Sequence, residues 1–176
     1  MDIVLINPGD RKQVYQNLGE DYAAIEPPFW IAVIGAYLRN NGFDVAVIDA
    51  NAENISPQET AEKANRLQPL LSAVIVYGSQ PSASTQNMTV AGRICKALKT
   101  NTSSKVAIGG LHPSALPKRT LEEEEVDFVI EGEGTFTLEH LLNILRSGSK
   151  DYSSIPGLWY FDNGAIRNNP RPSLIK

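Results

Sequence analysis

The chain has 176 residues, is 42% hydrophobic and carries a formal net charge of −4, which suits one folded domain with a real core and a short appendage. That balance lacks the basic footprint of a nucleic-acid binder, and the longest apolar stretch, Phe29 to Leu38, is about half of a membrane span. A single cysteine, Cys95, excludes an internal disulfide or a cysteine-only cluster, and Met1-Asp2 runs straight into a strand-like segment with no leader, so a cytoplasmic domain is expected.

Ile3-Val4-Leu5-Ile6 is a continuous apolar run, as a strand buried on both faces requires. The loop from Asn7 to Pro28 runs to about twenty residues where such units usually have two to six, so it is expected to serve as a lid or ligand contact. Phe29 to Asn40 reads as a helix entered after Pro27-Pro28 and stopped near Gly42. A strand at Val45 to Ile48, a helix at Pro57 to Leu67 and a strand at Ala73 to Val76 follow. Ser84 to Lys99 reads as a helix that takes Cys95 into the core, and the strand Lys105 to Ile108 comes next. A short helix near Leu116 to Glu124, with Glu122 to Glu125 as its solvated end, leads to the strand Phe128 to Ile130. Thr135 to Arg146 is the last helix. Leu158 to Phe161 and Ala165 to Arg167 flank Asp162-Asn163-Gly164, whose Asn-Gly supplies the positive φ angles of a tight hairpin. Asn168 to Lys176 is proline-bearing and polar, like a linker.

The alternation predicts an α/β fold: a flavodoxin-like (Rossmann-like), doubly wound, five-stranded parallel sheet of order 2-1-3-4-5, plus a C-terminal β-hairpin. Residues 1–150 are expected to form the α/β domain and residues 151–176 the hairpin and its linker-like tail.

Open α/β sheets bind ligands outside the carboxyl ends of their strands. Gly109-Gly110 ends the fourth strand, where bare backbone means a very tight turn or a ligand bed. A second glycine-bearing turn ends the fifth strand. The candidate site therefore comprises Asn7, Pro8 and Gly9; Tyr77, Gly78 and Ser79; Gly109, Gly110, Leu111 and His112; and Glu131, Gly132, Glu133 and Gly134. Valine at Gly110 is expected to block a ligand on that backbone while sparing the sheet. Tyr77 offers a flat face and a hydroxyl, and Ser79 a small hydrogen-bonding group. His112 reads as a ligand contact or as a residue that orients its loop; His140, beside Glu139, reads as surface. With no partner histidine or cysteine near His112, the protein itself is expected to ligate no metal.

Other chemistries lack their residues. Neither G-x-G-x-x-G after the first strand nor G-x-x-x-x-G-K-[ST] is present. The acidic glycine motif of S-adenosylmethionine methyltransferases belongs after the first strand, whereas Glu131-Gly132-Glu133-Gly134 follows the fifth. A phospho-receiver needs an acidic pair after the first strand and an aspartate after the third; here stand Asn7 and Tyr77-Gly78.

In order along the chain, Ile3 to Pro8, Pro27-Pro28 before a helix, Asn41 to Val45, Ile48-Asp49-Ala50, Gly109 to Ala115, Val126 to Gly134, and Ile155 to Leu158 with the Asn163-Gly164 hairpin form a spaced pattern. It resembles the N-terminal cobalamin (B12)-binding domain of B12-dependent radical SAM proteins over about residues 2 to 170. The resemblance implies a corrinoid whose nucleotide tail slots beside the sheet, with Gly109 and Gly110 giving it room. Mutases of this wider group carry Asp-x-His-x-x-Gly after the first strand, and its histidine ligates cobalt. This chain has Asn7-Pro8-Gly9-Asp10-Arg11-Lys12 there, which implies cobalamin without a protein histidine ligand, as is common in the radical SAM branch. One cysteine, and a chain that stops where a barrel should begin, place the iron–sulfur cluster and S-adenosylmethionine in another domain or chain. The expected function is thus a metal-binding, B12-carrying domain serving a radical SAM active site in cis or in trans, as methyl carrier or redox partner in a methyltransferase-like enzyme. Alone it is expected to be catalytically silent, with neither nucleic acid nor membrane as partner. The alternatives are an interaction or regulatory module that keeps the fold without the corrinoid, and an α/β domain for another small molecule.

Overall fold

Apolar runs, buried throughout in β1, β3 and β5 save at Asn7 and part-exposed at the sheet edge in β2, become the parallel strands β1 (Ile3–Asn7), β2 (Val45–Asp49), β3 (Leu71–Val76), β4 (Lys105–Gly110) and β5 (Phe128–Ile130) of a computed structural model, which describes residues 1–9, 27–78 and 81–171. The hairpin strands β6 (Leu158–Asp162) and β7 (Ala165–Asn168) add to β5 in antiparallel fashion, giving one seven-stranded sheet of order β2-β1-β3-β4-β5-β6-β7. The expected 2-1-3-4-5 order therefore stands, and the hairpin extends the same sheet. The long loop after β1 lies, from residue 10 to residue 26, outside the described residues.

Helices cover both faces, as right-handed crossovers demand. On one face, α1 (Phe29–Asn40) and the last helix, α7 (Thr135–Ser147), pack on Ile3, Leu5, Ile75, Phe128 and Ile130. On the other lie α3 (Pro57–Leu67), α4 (Pro81–Asn101) and α6 (Pro117–Glu123), over Val4, Ile6, Val74, Ile108 and Val129. Alternate residues of each strand thus feed different cores. Cys95 is fully buried on α4, and burial pushes its thiol far up, so it packs as a hydrophobe. α3 begins in a capping box, with Ser56 and Glu59 exchanging bonds and Pro57 in the first turn.

Two one-turn helices are absent from the sequence expectation. α2 (Ala50–Glu53) is capped by the Asp49 carboxylate, which accepts from the Ala52 N–H at 3.0 Å. α5 (Leu111–Ala115) follows β4 directly, and its Pro113 is tolerated because the first turn has no hydrogen bond for it to remove. α4 also starts three residues early, at Pro81, and α7 (Thr135–Ser147) closes the series. The tail expected to be a linker is stitched in as far as residue 171. Asn169 Nδ2 donates to the carbonyls of Tyr152 and Ile155, each at 2.7 Å, and the Gly157 N–H donates to Pro170 at 2.8 Å.

At the amino edge of the sheet, ion pairs tie elements together. Asp2 receives both Arg146 Nε (2.7 Å) and Nη2 (2.6 Å), and Arg146 also donates to the Gly42 carbonyl and lies 4.3 Å from the centroid of the Phe43 ring. Asp127, just before β5, receives Lys99 Nζ and Lys105 Nζ at 2.9 Å each and the Val106 N–H at 2.8 Å. Burial alone raises the Asp127 carboxyl, but these three bonds outweigh it and hold the group below its ordinary value of 3.8. A depressed carboxyl stabilises the fold above its unfolded pKa, and that contribution disappears as pH falls through the folded one. Asp127→Asn is therefore expected to cost about 1–3 kcal/mol at pH 7. In urea titrations the gap to wild type should narrow below about pH 4.

Candidate functional site at the carboxyl edge of the sheet

Ile75 of β3, Gly109 of β4 and Ile130 of β5 are register partners in one row across the sheet, on the α1–α7 face. With no side chain at the middle position, the row forms a trough. Ile34 of α1 and Leu138 of α7 wall it, and Tyr77, Gly110 and the turn Gly132-Glu133-Gly134 complete its lining. The resulting cleft holds about 200 Å³, counting space open to solvent. The space enclosed within it is only about 10 Å³, so the trough is a shallow depression and not a formed pocket.

The two glycines of the pair do different work. A Cβ at Gly109 would lie 3.3 Å from Ile130 Cβ, within the trough. A Cβ at Gly110 would lie 2.1 Å from the Val76 carbonyl oxygen, and Gly110 has φ of +133°. Gly110 is thus demanded by the close approach of β3 and by its own backbone. The expectation that valine at 110 spares the sheet is overturned, because the collision is with the sheet. Gly9 and Gly78 have similar internal reasons: a Cβ would meet Asn51 Cβ at 2.3 Å and Ala83 Cβ at 2.5 Å respectively. Gly132 and Gly134 take φ of +92° and +82° to turn the chain from β5 into α7.

Of the residues singled out in the sequence, Tyr77, Gly109, Gly110, Gly132, Glu133 and Gly134 gather in the cleft. Asn7, Pro8, Gly9, Gly78, Leu111, His112 and Glu131 stand at the same edge but do not line it, and Ser79 lies outside the described residues. Asn7 Nδ2 donates to Asp49 Oδ1 at 2.8 Å. His112 is pinned to the first turns of α4: its Nδ1 lies 3.0 Å from Thr85 Oγ1, and its N–H donates to Ser84 Oγ at 3.1 Å. Ser84 in turn donates to the Val76 carbonyl at 2.6 Å, so one hydroxyl joins β3 to α5. His112 therefore orients its segment. Glu131 is buried at 7% exposure, and both its oxygens are engaged, one by Trp159 Nε1 (2.8 Å) and the other by Arg171 Nε (2.6 Å). That carboxylate fastens the hairpin and the chain after it.

The cleft is apolar with two polar groups at its mouth. Burial, and then the neighbouring Glu133 carboxylate, push the Tyr77 phenol up, so it stays a neutral donor. Its ring stacks on Trp30, with centroids 5.4 Å apart and planes at 26°, and Trp30 keeps 44% of its surface exposed beside Phe29. Ser114 Oγ accepts from the Gly132 N–H at 3.0 Å and so fixes the turn below the mouth. Sequence reasoning missed the walls Ile34 and Leu138 because their apolar spacing marks them only as core, and missed Ser84 because it reads as an ordinary helix start. The two glycines give a direct contrast. Gly110→Ala should lose at least about 2 kcal/mol of stability. Gly109→Ala should lose about 1 kcal/mol, the lower end of an overpacking cost, in the same denaturant titration.

A B12-binding domain family model matches residues 17–142. An uncharacterized methyltransferase of Pyrococcus horikoshii is 29% identical over 178 residues, spanning 100% of this chain and 36% of that protein. The anaerobic magnesium-protoporphyrin IX monomethyl ester cyclase of Cereibacter sphaeroides is 28% identical over 184 residues, spanning 100% of this chain and 28% of that one. The chain thus covers about a third of these relatives or less. Among solved structures, the radical S-adenosylmethionine methyltransferase TsrM of Kitasatospora setae, with cobalamin and a 4Fe-4S cluster bound, superposes with a TM-score of 0.74 at 19% identity, over 100% of this chain and 30% of its own. The cobalamin-dependent S-adenosylmethionine radical enzyme OxsB, with aqua-cobalamin bound, gives 0.69 at 19% identity, over 98% and 22%. At such identity these two structures speak for the fold. The family match runs through β2 to β5 and takes in both walls of the cleft, and the chain belongs to the B12-binding domain family.

Proposed function

We propose that this chain binds a cobalamin at the carboxyl edge of its sheet, with the nucleotide tail in the cleft over Gly109, and that it serves a radical SAM active site in another domain or chain. The single observation that carries the reading is the trough at Gly109, where a missing side chain opens an apolar bed between two isoleucines on the ligand-binding edge. Family membership and the radical SAM enzymes among the structural neighbours support the choice of ligand.

A bound corrinoid supplies a cobalt centre able to carry a methyl group or an electron. The protein's share is to bind and orient. Ile34, Ile75, Ile130 and Leu138 line the trough with apolar side chains, themselves buried, against which the edge of a ring would pack. Tyr77 and Glu133 offer a donor and an acceptor at the mouth. Among the described residues that line the cleft none is a cation. His112 is held by Thr85 and Ser84, and His140 is exposed on α7; the cobalt is accordingly proposed to carry no histidine from this chain. Residues 1–150 are taken as the corrinoid-binding unit and residues 151–176 as its hairpin and exit.

Incubation with hydroxocobalamin followed by gel filtration should leave the corrinoid spectrum on the protein peak. Gly109→Ala should lower retention roughly tenfold while far-ultraviolet dichroism stays unchanged. Absence of corrinoid from wild-type protein would favour a module that keeps the fold without the cofactor. In the Co(II) form, electron paramagnetic resonance should show no splitting from a protein nitrogen; splitting that His112→Ala removes would make His112 a ligand.

A further inference from the structure

The two walls of the cleft belong to different helices, and a polar pair one turn along joins those helices at the half-buried rim of their contact. Tyr37 stands three residues after the wall residue Ile34 on α1, and its hydroxyl donates to Glu139, the residue after the wall residue Leu138 on α7. The Tyr37 ring also meets Phe136 edge to face, with centroids 5.7 Å apart. Among the described residues, this hydrogen bond is the one polar link between α1 and α7. The far end of α7 is anchored separately, through Arg146 to Asp2 and to the Gly42 carbonyl. Its near end follows two glycines at positive φ, has no side-chain cap, and is held by Thr137 Oγ1 donating to the Pro156 carbonyl at 2.8 Å. α7 is thus tied by an ion pair at its end and, at its start, by Thr137, the buried Leu138 and the Tyr37 bond.

We propose that Tyr37 is a positioning residue: its bond to Glu139 sets the distance between the Ile34 and Leu138 walls and so holds the cleft at the width that grips a flat ring. This rests on the corrinoid reading for the identity of the ring, and on geometry alone for the spacing of the walls. The link suits a constant setting. Its bond to the Glu139 carboxylate, helped by burial, pushes the Tyr37 phenol up to about 12, so the hydroxyl keeps its proton at ordinary pH. A hydrogen bond to a charged acceptor is also among the stronger kinds.

The test compares two corrinoids. Cobalamin carries a nucleotide base; cobinamide lacks one and has nothing to place in the cleft. Tyr37→Phe keeps the ring against Phe136 and removes only the hydroxyl. It should speed cobalamin release by about tenfold and leave cobinamide release unchanged. Glu139→Gln keeps an acceptor and should stay within about twofold of wild type, whereas Glu139→Ala should match Tyr37→Phe. Equal effects of Tyr37→Phe on both corrinoids, or no effect on either, would overturn the proposal. Binding of neither corrinoid by wild-type protein would refute the corrinoid reading, and hydrogen exchange of the ligand-free protein then decides the positioning role by itself. Amides of residues 135–139 should exchange about fivefold faster in Tyr37→Phe, with α3 amides unchanged. Unaltered exchange there overturns the proposal whatever the ligand.

Discussion

The Val76 carbonyl oxygen lies 2.1 Å from where a side chain at residue 110 would begin, and the carboxyl edge of the sheet is arranged around that approach. Only a residue without Cβ, at a φ few others adopt, lets β4 leave the sheet there and turn at once into α5. The same carbonyl accepts the Ser84 hydroxyl, which itself accepts the His112 N–H. One backbone oxygen therefore fixes β3, α4 and α5 together. With α5 held toward α4, the opposite side of β4 stays clear, and Gly109 is left as an open floor between Ile75 and Ile130.

The two edges of the sheet differ in their chemistry. At the amino edge, charged groups are paired and satisfied: Asp127 with two lysines and a backbone N–H, and Asp2 with Arg146. At the carboxyl edge the chain offers glycines, one phenol, one carboxylate at the mouth and an apolar trough. Glu131 belongs in function to the first group although it ends β5, because Trp159 and Arg171 occupy it. Its adjacency to the cleft turn joins the exit of the chain to the edge where a ligand is proposed to lie. An exposed Trp30 and Phe29 beside Tyr77 continue the apolar surface outward from the cleft.

Much of this was legible from residue order. Four-residue apolar runs such as Ile3 to Ile6 announce strands buried on two faces, and their alternation with helices leaves few topologies, so the sheet order followed. The one-turn helices α2 and α5 were missed because four or five residues carry no periodicity, and their signals are a capping aspartate and a positive-φ glycine. The glycines were found but not sorted. A glycine whose Cβ would collide with its neighbours, as at 9, 78 and 110, reads the same as one at which a side chain would fill the trough, as at 109. The ties of Glu131 are invisible locally for a related reason: its partners Trp159 and Arg171 lie 28 and 40 residues away, and no local pattern pairs them. The cleft walls Ile34 and Leu138 are core by spacing, and only the empty position between them gives them a second role.

The central claim is that the Gly109 trough is where the corrinoid lies. Amide chemical-shift mapping during titration with cobalamin tests it most directly, since it locates contact without depending on any reaction. The account predicts that the largest changes fall on Gly109, Gly132, Glu133, Gly134 and Leu138, with the amino-edge residues Lys105 and Asp127 unmoved. Changes centred on α3 and α4, or spread evenly over the chain with the trough silent, would contradict it.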